Sequence, residues 1–271
     1  MCAAARVIAK ISSPGVGEIL GMTSVGDELF MLLQREEKQV AVYSVNRYKL
    51  LRHLNVSGLA PSNDSDITSC VRRRCLYMSD YHKSCICRYD LDSSATCKWP
   101  LPSDCEARGL SVTPSINLLV TCSALNKLVE LSSDSGRCVR EIELQSDIVN
   151  PCHSVQLNTG QIAVCHGVWN RGLQRVCVVG DDGKVVRSYG AQCCSDVGHL
   201  DYPRHLAVVK DSRFIFVADR NNNRVVLLRT TLEFVRVIGE RLTYPQRLYI
   251  HEETRRLFVS QSNNDVVVIQ L

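Results

Sequence analysis

Seven histidines, at positions 53, 82, 153, 166, 199, 205 and 251, are the first residues to test for chemistry. None lies in an H-x-H or H-E-x-x-H pair and no C-x-x-C occurs, so there is no local zinc signature. His153, His166 and His205 begin or end apolar runs, and they are the one set that a fold could converge on a metal. No G-x-S-x-G and no phosphate-binding glycine loop appears. The expectation is therefore a non-catalytic chain without a cofactor. Fourteen cysteines need an account too. Cys85, Cys87, Cys122, Cys165 and Cys177 sit inside apolar runs, where a free thiol acts as a small hydrophobe. Met1–Arg6 has no basic stretch leading into an apolar core, and no run approaches the roughly 20 apolar residues of a membrane helix. These features predict a cytoplasmic protein with reduced thiols and no membrane association.

Arginine, lysine, asparagine and aromatic residues recur in the turns. The net charge of +4 is too small for a dedicated duplex-DNA binder. The mixture does suit single-stranded RNA, which needs cations along its backbone and flat side chains for its bases. It also suits a protein or peptide, for which Trp, Tyr and Arg are the usual hot spots. The candidate ligand-binding residues are Arg35, Lys83, Lys127, Trp169, Arg171, Tyr202, Arg204, Arg220, Asn221, Arg224 and Arg247. Trp169 stands out because Gly167 and Gly172 flank it in the longest turn. Asp219 and Asn221–Asn223 read first as turn-forming residues. Arg72-Arg73-Arg74 reads as a solvated turn.

The elements that must position these residues follow from a repeat. A basic residue among apolar ones recurs at Lys10, Arg52, Lys98, Arg140, Arg187 and Arg236, at spacings of 42 to 49 residues. Running from Arg236 past Leu271 back to Lys10 gives the same spacing, so the repeat closes on itself. A period of this length built from short strands signals a propeller. Each unit holds four apolar runs, a to d, separated by Asn, Asp, Gly and Ser. The fifth is the clearest: His205–Val209, Phe214–Ala218, Arg224–Leu228 and Phe234–Ile238. The last unit lacks its d strand, and residues 5–11 supply it. The prediction is an all-β, six-bladed propeller of four-stranded antiparallel blades forming one domain over 1–271. The blades cover approximately 17–56, 66–101, 107–144, 152–190, 203–239 and 245–271 plus 5–11. The ring is closed by the N-terminal strand, and the domain is expected to be monomeric.

Tyr202-Pro203-Arg204-His205-Leu206-Ala207-Val208, followed by Ile215-Phe216-Val217-Ala218-Asp219 and Arg220–Arg224, resembles the NHL repeat. Tyr244–Leu248 with Phe258–Asn264 is a weaker copy. The usual glycine after the Pro-x pair is replaced by His205 and Arg247. The resemblance implies a propeller like those at the end of TRIM-type ubiquitin ligases, which bind single-stranded RNA or proteins on one face. That face would be built by the b–c and d–a loops. The alternatives it leaves are a protein-only scaffold of the substrate-recognition type, a metal-dependent lyase or hydrolase, and an engineered wheel with no native ligand.

Overall fold

The computed structural model describes residues 5–12, 17–168, 171–190, 198–209, 213–239 and 242–271. Each apolar run is a strand, and the strands form six four-stranded antiparallel sheets. Blade 1 runs Ile19–Val25, Glu28–Leu33, Val40–Ser44 and Leu50–Leu54. Blade 2 runs Ile67–Cys70, Cys75–Asp80, Cys85–Asp90 and Thr96–Pro100. Blade 3 runs Ala107–Val112, Leu118–Cys122, Lys127–Leu131 and Cys138–Glu143. Blade 4 runs Pro151–Gln156, Ile162–Val168, Arg171–Val179 and Val185–Tyr189. Blade 5 runs Pro203–Val208, Phe214–Asp219, Arg224–Arg229 and Phe234–Ile238.

Blade 6 takes strands a to c from Pro245–His251, Arg256–Gln261 and Asp265–Gln270, and its outer strand is Arg6–Ser12. Arg6 pairs with Gln270 and Ser12 with Asp265. The first strand of the chain thus covers the edge that Asp265–Gln270 would otherwise present.

Hydrophobic burial holds the wheel together between blades. Each of six buried clusters joins two successive blades. The closing cluster packs Ile11, Phe258, Val266 and Val268 of blade 6 against Ile19, Met22 and Leu29 of blade 1. This is why strands b and c are apolar on both faces. The rim is different. Its outer strands are half-exposed and carry the basic residues, with Lys10 bridging Asp265, Arg52 bridging Glu28 and Arg140 bridging Glu130.

Most cysteines behave as core. Of the nine free thiols among the described residues, only Cys97 and Cys138 are exposed. Burial pushes the Cys87 thiol up to about 12, so it stays protonated. Cys105 and Cys122 depart from the all-thiol expectation by forming a disulfide. Cys105 lies in the d–a connection of blade 3, which passes the end of strand b with the two Cα atoms 4.7 Å apart, within bridging distance. Cys193 and Cys194 lie outside the described residues. No helix of the described residues is long and apolar enough to cross a membrane.

Candidate functional site

The inner strands decide what lines the central channel. In five blades the pairing of strands a and b slips by a residue or more near the start of strand a: Ile19/Gly21, Ala107/Gly109, Pro151/His153, Pro203/Leu206 and Pro245/Arg247. A bulge re-aims side chains, and here Arg108, Arg204 and His205 sit in the slipped segments. Blade 2 pairs regularly from Ile67, and Asp66 stands just before it. The strands come close because two positions lack a side chain. A Cβ on Gly21 would lie 2.6 Å from Asp66 Oδ1, and one on Gly109 would lie 2.8 Å from the His153 Cα. The residues before the first strands of blades 4, 5 and 6, Asn150, Tyr202 and Tyr244, all take left-handed φ values of 54°, 57° and 45°. Each precedes proline, which removes the right-handed helical option.

The segment Asn63–Asp66 is the hub. Arg108 of blade 3 donates from Nε to Asp64 Oδ1 at 3.0 Å, from Nη1 to Asn150 Oδ1 at 3.0 Å and from Nη2 to the Tyr202 hydroxyl at 2.9 Å. Arg204 of blade 5 donates from Nη2 to Asp64 Oδ1 at 2.7 Å and to the Asn63 carbonyl at 3.1 Å, and from Nη1 to the Tyr202 hydroxyl at 3.1 Å. Arg247 of blade 6, only 1 % exposed, donates from Nη2 to the Ser65 carbonyl at 2.9 Å. Three guanidiniums from three blades therefore meet on one short segment of a fourth. Outside them Arg220 lies over the rings of Tyr202 and Tyr244, 5.7 and 5.3 Å from their centroids.

Asp66, His153 and His205 form a second, deeper layer. All three are buried, and one donor atom from each lies within 4.8 Å of the others. The imidazoles stack at 3.7 Å, and their Nε2 atoms lie 3.7 and 3.6 Å from Asp66 Oδ2. Spacing alone would admit a metal, but the hydrogen bonds do not fit one. Asp66 accepts the backbone N–H of Ile67 on Oδ1 and of Leu110 on Oδ2, both at 2.9 Å. His205 Nδ1 accepts the Leu248 N–H at 3.4 Å, so its proton sits on Nε2, facing the carboxylate. His153 Nε2 lies 3.2 Å from the Leu110 carbonyl, which only a proton can bridge. His205 thus directs N–H, not a lone pair, at Asp66, His153 commits its Nε2 proton to the Leu110 carbonyl, and the neighbouring guanidiniums oppose a further cation.

Charge follows from this arrangement. Burial pushes the Asp66 carboxyl up, but the hydrogen bond from His205 and the charge of Arg247 outweigh it and bring it down to about 2. Burial holds His153 well below the usual histidine range, and the neighbouring His205 adds to the effect. Burial also lowers His205, against the pull of Asp66. At neutral pH the cluster is one carboxylate facing two stacked, neutral imidazoles.

Of the residues expected from sequence to bind a ligand, Tyr202, Arg204, Arg220, Asn221 and Arg247 come together around the channel mouth. Asn221 sits beside Arg220, which donates to its Oδ1 at 3.0 Å, and its own amide caps Asp201. Arg224 supports them from beneath, donating to buried Asp219 at 2.7 Å and to the His199 carbonyl. Asp219 also accepts the Asp201 N–H and the Asn222 amide, the turn role its sequence context implies. Arg35, Lys83 and Lys127 lie apart. Arg35 is half-buried beside Gly17, Lys83 pairs with Asp80, and Lys127 bridges Glu141 and Glu143. Trp169 and the side chain of Arg171 lie outside the described residues. Of the three histidines considered for a metal, His166 is elsewhere, accepting the Val149 N–H on Nδ1 and lying 3.4 Å from the Cys177 sulfur. Sequence reasoning missed Asp64 and Asp66. The available signal was the polar run Ser62–Asp66 standing where other blades place arginine or histidine. On the opposite face Arg73 and Arg74 pair with Asp134 and Asp92, as expected of a solvated turn.

No protein-family model matches the chain, and no curated protein matches its sequence. Solved structures do match its shape. A streptogramin B lyase superposes with a TM-score of 0.67 at 12% identity, covering 98% of this chain and 87% of the other. A catalytically inactive virginiamycin B lyase from Staphylococcus aureus with quinupristin gives 0.69 at 9% identity, covering 98% and 99%. The Cps50 (Swd1) β-propeller domain from Myceliophteria thermophila gives 0.63 at 12% identity, covering 93% and 82%. At these identities the likeness extends to the propeller fold alone.

Proposed function

We propose that this propeller is a non-catalytic binding module of NHL type that recognises a protein partner on the face built by the d–a and b–c connections. The carrying observation is Arg220 stacked between Tyr202 and Tyr244, with Tyr244 44 % exposed at the channel mouth. Tyr and Arg presented together on a rigid scaffold make the usual anchor of a protein interface. Single-stranded RNA would need cations spread along a track. Around this face Lys83, Lys127 and Arg224 are committed to carboxylates instead, which favours a compact central contact. The buried Asp66, His153 and His205 are structural in this reading, because a substrate would have to displace the arginine layer to reach them.

Selection from a random-peptide display library, followed by anisotropy titration of the selected peptides, tests the proposal. Binding that drops at least tenfold in Arg220→Ala and Tyr244→Ala supports it. A single-stranded RNA that binds instead, with affinity falling about 0.7 log units per phosphate contact per log unit of salt, overturns it. Peptide cleavage by the purified protein, lost in His205→Asn, would favour the lyase or hydrolase reading.

A further inference from the structure

The channel mouth carries more positive charge than its acids neutralise. Arg108, Arg204 and Arg247 are buried there with Asp66 and the half-buried Asp64, while His153 and His205 remain neutral. Three guanidiniums face two carboxylates. An uncompensated charge in a water-poor interior is costly, so such a layer attracts a counter-ion.

The hydrogen bonds show where it would sit. Arginine can only donate. The Tyr202 oxygen therefore accepts from both Arg108 and Arg204, and both its lone pairs are used. Its own proton has no acceptor among the described residues, and on this half-buried ring it faces whatever occupies the mouth. Arg247 Nη1, deeply buried, likewise has no partner among the described residues. Arg204 lies within electrostatic reach of Arg108, Arg220 and Arg247. Burial pushes the Arg247 guanidinium below its usual range. Asp66 opposes that shift and the charge of Arg204 adds to it. One buried donor, Arg247 Nη1, is thus orphaned in a layer of excess positive charge, beside the half-buried Tyr202 hydroxyl, with Arg220 closing over it.

We infer that the channel mouth binds a single oxyanion, a carboxylate or phosphate group, through Arg247, Arg204 and the Tyr202 hydroxyl. The site deepens the partner reading by naming the group a partner would insert, and rests on that reading only for the source of the anion. A carboxylate offers two acceptor oxygens to the Tyr202 O–H and Arg247 N–H, and its charge balances the layer.

Thermal unfolding and calorimetric titration of the full chain test this with sodium phosphate, sodium acetate and sodium chloride at matched ionic strength. Phosphate or acetate should raise the melting temperature beyond chloride. Tyr202→Phe should weaken anion binding about tenfold, the loss of one charge-assisted hydrogen bond. Arg247→Gln should abolish it. Should Arg247→Gln fail to fold, Tyr202→Phe decides alone. A second arm compares selected peptides with their acidic side chains changed to amides. Weaker binding of the amides identifies a partner's carboxylate as the source, and equal binding with phosphate still effective identifies a free anion. Equal effects of all three salts, or unchanged anion affinity in Tyr202→Phe, overturn the inference. Stabilisation by zinc chloride in place of phosphate overturns it too. Loss of the anion effect while peptide binding persists removes this site and leaves the partner reading standing.

Discussion

Arginine lines both the axle and the rim of this wheel, and the two populations obey different physics. On the rim, Arg52 meets Glu28 with both side chains partly in water. Such pairs contribute about 0–1 kcal/mol, because solvent screens them and two long side chains lose freedom. At the axle, Arg108, Arg204 and Arg247 are dry and converge on one four-residue segment of another blade. There each charge depends on its partner, since an unpaired buried ion costs several kcal/mol. The lesson is that a basic residue's place in the repeat says little about its energetic weight, whereas its distance from the axis says a great deal.

The largest break in this comparison should come from opening the ring. Deleting residues 1–12 removes the partner of Asp265–Gln270 and uncovers Val266 and Val268. Loss of cooperative unfolding, or association through the bared edge in size-exclusion chromatography, is the expected outcome. A truncated chain as stable and monomeric as the original would show that the closing strand is dispensable.

Asp66→Asn should rank next, at about 3–5 kcal/mol, because it leaves Arg247 without its buried counter-charge. Denaturant titration reads the change. The same cluster gives a pH dependence whose sign can be worked out. The Asp66 carboxyl is lowered to about 2, so its contribution is present above its unfolded pKa near 4 and is lost as pH falls toward 2. The buried histidines act earlier. Burial, with the charge of Arg175, brings His166 down to about 4, and His153 and His205 are lowered as well. The unfolded chain therefore takes up protons first, and stability falls from pH 6.5 downward. A flat stability profile between pH 7 and 4 would contradict the neutral-imidazole description.

Reducing the Cys105–Cys122 bridge should cost roughly 3 kcal/mol, the closure entropy of a loop of this length. It also frees the connection that leads into Arg108, so reduction should loosen the axle more than the rim. Hydrogen exchange with and without dithiothreitol can resolve the two. The smallest effect belongs to the rim: Arg52→Ala should change stability by less than about 1 kcal/mol. A loss comparable to that of Asp66→Asn would erase the distinction between axle and rim.

The repeat alone specified the wheel. Short apolar runs, turn residues at regular intervals and a spacing that closes only by joining residues 5–11 to the last unit are local or one-dimensional signals, and they survive in a bare string of letters. The same string placed Tyr202, Arg204, Arg220 and Arg247 on one face, because d–a and b–c connections share an end of every blade. Tertiary structure decided which of those residues meet. Bulges re-aimed Arg108, Arg204 and His205, left-handed residues before proline turned Tyr202 toward the axis, and the segment Asn63–Asp66 became the hub of arginines up to 182 positions away in the chain. Convergence across a channel depends on how far each strand slips against its neighbour and on the twist of six sheets together. No single blade's residues carry that information, so the identity of the buried partners appears only once the ring has closed.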